Sequence, residues 1–141
     1  MRREELELDD GLLCLSINGK SEIIFNPTDY GFIERLVDAF EQASELQSEL
    51  ERKVKSSEPR AVFEIARDFD GRMRQLVDAV AGAGTCDAQF GAMNVYAYAD
   101  GLPVWCNLLF AILDRCESDV VTQQKQMHPR LEKYAAKYKK K

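Results

Sequence analysis

The longest regular pattern in the chain is an apolar stripe, Phe32, Leu36, Phe40, Ala43, Leu46, Leu50 and Val54, whose members recur at steps of three or four residues. That spacing is the period of an α-helix, so it gathers all seven side chains on one face and leaves Glu, Gln, Ser and Arg for the other. Just before the stripe, Asn26-Pro27-Thr28-Asp29 supplies capping side chains and a proline suited to a first helical turn. A helix from this point to about Lys55 spans about 40 Å. A domain of 141 residues does not need that length inside its own core. The excess predicts a helix that projects or lies along another subunit, with Phe40, Leu46, Leu50 and Val54 as candidate contacts with an oligomer or partner.

Ser56-Ser57-Glu58-Pro59 interrupts the stripe and restarts it, with serine as the expected cap and proline in the first turn. Val62, Ala66, Phe69, Met73, Leu76 and Val80 then alternate steps of four and three, a coiled-coil-like seam. Two such helices joined by a short turn predict an antiparallel hairpin. Gly71 lies in the middle of the second, where close approach of another helix would account for it. Gly82-Ala83-Gly84-Thr85 ends that helix and predicts a capped third one carrying Phe90, Met93 and Tyr96. After Asp100-Gly101-Leu102-Pro103, the residues Trp105, Leu109, Ile112, Cys116 and Val120 form a fourth stripe, flanked by Leu108, Phe110 and Leu113. A helix apolar over so much of its girth belongs at the centre. Pro129 is expected to break or kink it, leaving a short basic helix with Leu131, Tyr134 and Tyr138.

Ahead of all the helices, Leu12 to Ile17 and Lys20 to Phe25 flank Asn18-Gly19, a strong hairpin signal. A two-residue turn pairs Leu15 with Glu22 and scatters apolar groups over both faces. A three-residue loop with Gly19 left-handed pairs Ser16 with Lys20 and collects Leu13, Leu15, Ser21, Ile23 and Phe25 on one face. The second register is preferred because it makes the hairpin amphipathic. The fold class expected is therefore mainly α with a small hairpin at residues 11–25, four to five helices forming a bundle within one domain over 1–141.

The longest apolar run, Leu108 to Leu113, is far short of the roughly twenty residues of a membrane span, and Met1-Arg2-Arg3-Glu4-Glu5 lacks the apolar core of a signal peptide. A cytoplasmic location without membrane contact is expected. Cys14, Cys86, Cys106 and Cys116 are widely spaced and read as reduced thiols packed as small hydrophobes. His128 is the one histidine, so neither a zinc site nor a His-dependent nucleophile has a recognisable spacing. Walker, GxGxxG, HExxH and GxSxG patterns do not occur. Neither catalytic residues nor a cofactor are expected. Seven basic residues against one acidic give 124–141 a charge of +6 and leave −11 for the rest. An acidic body argues against nucleic acid as partner. The basic end, Lys137 to Lys141, is expected to be a mobile tail.

Ile17-Asn18-Gly19-Lys20, two amphipathic helices, and then Gly82, Gly84, Thr85, Phe90, Gly91 and Asn94 in fixed spacing form a combination over roughly Leu13 to Glu117. It resembles the tail assembly chaperones encoded by long-tailed phages and prophages of Gram-positive bacteria. The resemblance implies a non-enzymatic factor of the bacterial host cytoplasm that oligomerises, coats the tape-measure protein before tail-tube protein polymerises around it, and is absent from the mature virion. It also implies a longer product made by ribosomal frameshifting near the end of the gene, for which the codons of Lys139, Lys140 and Lys141 are the expected place. A structural or adaptor protein of a phage tail or other helical assembly is the alternative. Within the motif, Phe90 is expected to be a buried anchor against the fourth helix.

Overall fold

The computed structural model describes residues 1–139. Strands β1 (Leu13–Ile17) and β2 (Ser21–Phe25) form an antiparallel hairpin, followed by α1 (Tyr30–Ser56), α2 (Pro59–Ala81) and the short α3 (Thr85–Phe90). A two-residue-per-strand ribbon, β3 (Tyr98–Ala99) with β4 (Leu102–Pro103), then leads into α4 (Val104–Tyr138). The architecture is mainly helical with a small β-hairpin, as the periodicity predicts.

The hairpin keeps the predicted face but shifts its register. Leu13 lies opposite Phe25, Leu15 opposite Ile23 and Ile17 opposite Ser21, so the apolar set is Leu13, Leu15, Ile17, Ile23 and Phe25. The expected Ser16 to Lys20 pairing does not form. Asn18 and Gly19 both have positive φ, and Lys20 N–H closes the turn on the Ile17 carbonyl at 3.0 Å. Lys20 is thereby the surplus residue, and pairing resumes one step later on each strand.

Asp29, not Asn26, caps α1, its side chain accepting from Gly31 N–H at 2.9 Å. Asn26 instead ties down the lead-in: its amide donates to the Asp10 carbonyl and its oxygen accepts from Thr28. Gly11 is left-handed, and a β-carbon there would stand 2.6 Å from the Asn26 amide nitrogen. Any other residue would have to push that amide aside and hold a left-handed backbone. Ser57 closes α1 rather than opening α2, with its hydroxyl on the Lys53 carbonyl at 2.6 Å, and Pro59 starts α2 behind Glu58.

α1 and α2 pack along one another, and α4 lies against both. The core joins Phe32, Leu36, Ala43 and Leu50 of α1 with Phe69, Met73, Val77 and Ala81 of α2 and Trp105, Leu109, Ile112 and Cys116 of α4. Ile23 and Phe25 close one end, the Phe25 ring tilted against Phe32 with centroids 4.9 Å apart. On α2 the fully buried line steps by four, so Leu76 and Val80 of the expected seam are half-buried and Val77 and Ala81 take the centre. Contacts from α1, α3 and α4 widen the arc that α2 must cover. Around Gly71 a β-carbon would meet nothing within 4 Å, which overturns the expected close approach.

Two further expectations change. Helix α3 ends at Phe90, leaving Met93 at a bend and Tyr96 in a turn. Helix α4 runs through Pro129 to Tyr138, so residues 124–138 of the basic stretch are helical. Lys140 and Lys141 lie outside the described residues.

Candidate interaction surface

The motif Gly82, Gly84, Thr85, Phe90, Gly91 and Asn94 lies on one face of α2, and four residues spaced by four hold it there: Ala66, Asp70, Arg74 and Asp78. Asp78 accepts from the backbone N–H groups of Gly84 (3.2 Å) and Cys86 (2.9 Å), giving the first turn of α3 an anionic partner. Thr85 is inside α3, and its hydroxyl turns back to the Ala81 carbonyl at 3.1 Å. Arg74 spreads its fork over Asp70 (3.0 Å), Asp87 (2.6 Å) and the carbonyls of Gly91 (2.8 Å) and Met93 (2.7 Å). Burial opposes its charge, but Asp87 and Asp70 outweigh that and its pKa is raised. Asp70 also accepts from Val95 N–H at 2.8 Å, and the Asn94 amide donates to the Ala66 carbonyl at 3.0 Å.

Gly91 has φ 55° and ψ −126°, a conformation for which glycine is the natural residue. Phe90 is half-buried at the edge of the core, so it is a lesser anchor than predicted. Cys86 and Val95, both fully buried, are the side chains that seat the segment. Gln89 adds a link to the hairpin, donating to the Ile17 carbonyl and the Ser21 hydroxyl at 2.7 Å each. The motif is thus a packed structural unit. The sequence offered one clue to its supports: Asp70, Arg74 and Asp78 sit on the same face, a pattern that a solvated acidic helix also shows.

Phe40, Leu46, Leu50 and Val54 were the candidate contacts, and the structure turns them inward. Phe40 stacks on Phe110 (ring centroids 5.1 Å apart) and tilts against Trp105 at 6.1 Å. Leu50 is buried, while Leu46 and Val54 are half-buried against the core. Trp105 fixes the neighbouring turn by donating to Gln47 at 2.9 Å. α2 and α4 together consume this stripe.

The surface left over is elsewhere. Every residue from Val121 to Lys139 is exposed. Leu109, Leu113, Cys116 and Val120 define a line along α4 that breaks at Gln123 and Gln124 and resumes on the same face, seven residues on, with Met127, Leu131, Tyr134 and Tyr138. The first four pack in or against the bundle, and the last four stand in solvent. Some 27 Å of helix therefore carries the core-facing line past the end of the core. Lys125, Arg130, Lys133, Lys137 and Lys139 flank it, against Glu132 alone.

Three of the four thiols are buried in the packing, and Cys14 is exposed. Burial raises the thiol pKa of Cys86, Cys106 and Cys116, and a hydrogen bond to Glu22 raises that of exposed Cys14, so each moves away from the nucleophilic thiolate. Among the described residues no three His, Cys, Asp or Glu side chains are grouped as a metal would need, and no helix is long and apolar enough to cross a membrane. Comparison with family models, with curated proteins and with solved structures gives no match to this chain.

Proposed function

We propose that the protein is a non-enzymatic tail assembly chaperone, which self-associates in the host cytoplasm and covers the tape-measure protein until the tail tube forms around it. One observation carries this reading: α4 extends its apolar line from Met127, which shares a surface cleft with Tyr30, through Leu131, Tyr134 and Tyr138, all four exposed among the described residues. An exposed amphipathic helix is suited to helix-on-helix recognition of other chains. The mainly helical fold with its leading hairpin agrees with the resemblance of residues 13–117 to tail chaperones. So does the use of the glycine-rich motif for packing, which a binding scaffold requires and a catalytic loop does not.

Co-expression with the long helical tape-measure protein of the same gene cluster tests the reading. The tape measure should be soluble and co-purify with this chain, and purified particles should lack it. A chain that leaves the tape measure aggregated, and is instead found in purified particles, is a structural or adaptor protein of the tail.

A further inference from the structure

A second uncovered surface has the opposite charge. Residues 1–12 form no helix or strand, and Leu6 and Leu8 are 91% and 78% exposed. They alternate with acids in Glu4-Glu5-Leu6-Glu7-Leu8-Asp9-Asp10, five carboxylates without one base. Pairing the bare end of α4 with another α4 would bring five cations against five, and like charges repel across such a seam. An acidic strip with apolar side chains removes that conflict. Length suffices too, since extended Glu4 to Leu12 covers about 27 Å and Met127 to Tyr138 about 17 Å of helix.

We propose that the leading segment of one copy, Glu4 to Leu12, lies along the Met127 to Tyr138 line of a second copy. The inference rests on the self-association proposed above and names its interface. In the single chain, Asp9 and Asp10 share a cleft of about 550 Å³ with Arg115 and Arg130 at the root of the bare helix. The segment thus starts beside the helix, yet Leu6 and Leu8 leave their own chain's line uncovered. The contact joins unlike surfaces, so it closes a ring or propagates according to the angle between copies.

Sedimentation of the whole protein over a range of concentrations and salt tests this. Wild type should associate, less so at high salt. Glu5→Lys/Glu7→Lys and, separately, Lys133→Glu/Lys137→Glu should each weaken association about tenfold or more, and an equimolar mixture of the two should recover it. Leu6→Ser/Leu8→Ser should weaken it without a charge change. All these positions are exposed, so unchanged melting certifies the fold. If the Glu5/Glu7 variant associates like wild type, or the mixture stays dissociated, the pairing is wrong although self-association stands. A wild type that is monomeric throughout, as when the segment folds back on its own α4, overturns the self-association itself.

Discussion

Arg74 makes four hydrogen bonds from one guanidinium that is largely buried, and two carboxylates converge on it. Removing it strands Asp70, itself mostly buried, and frees two carbonyls. Arg74→Ala should lower unfolding stability by about 2 to 4 kcal/mol in a denaturant titration. Arg74→Lys should recover less than half, because a point charge cannot replace the fork. The opposite sign is expected at Tyr96, whose buried hydroxyl has no hydrogen-bond partner and whose pKa burial pushes up. Tyr96→Phe should leave stability unchanged or raise it by up to about 1 kcal/mol, read as a shift in melting temperature. Arg74 did not stand out in the sequence, and Tyr96 did so only as an apolar side chain of the third helix. Periodicity registers apolar side chains, whereas Arg74, Asp70 and Asp78 matter through partners far along the chain that no local pattern reveals.

At the scale of the elements, legibility followed repetition. The stripes of α1 and α2 span many turns, and both helices begin and end within a few residues of expectation. Where a single residue had to decide, inference slipped. Asn18-Gly19 announced the hairpin, but whether Ile17 or Ser16 closes it depends on one extra residue, Lys20. Pro129 was expected to break or kink α4, yet the helix continues through it to Tyr138. Gly71 suggested a close contact that the packing lacks, so its cost is uncompensated. Gly71→Ala should stabilise the protein by about 0.5 to 1 kcal/mol, and a destabilised variant would show that something does pass close to that position.

For the whole molecule, the surplus length predicted for α1 belongs to α4. The arithmetic of length was sound, but a stripe does not say what covers it, and α1 is covered by α2 and α4. A compact chain of this size has a radius of gyration of about 14 Å. With α4 alone at about 52 Å, the dilute monomer should scatter X-rays with a clearly larger radius. Amide exchange should divide the same helix: slow through the segment around Leu109 and Ile112, fast beyond Val121. A uniform exchange rate along α4 would contradict the division into a packed half and a bare half.

The ladder on α2 has a further consequence for how this protein can change. Asp78, Arg74 and Asp70 grip Gly84 N–H, Cys86 N–H, the Gly91 and Met93 carbonyls and Val95 N–H, which are groups every residue but proline can offer. The grip is indifferent to most of the side chains it holds. Ala83, Ala88, Ala92 and Met93 can therefore drift without disturbing the fold, while Gly91, Asn94 and the three gripping residues cannot. A library randomised over 82–96 should return functional clones with wide diversity at the first group and near-uniform identity at Gly91 and Asn94. Such a segment is a place where a protein can acquire a new surface at small cost to its core.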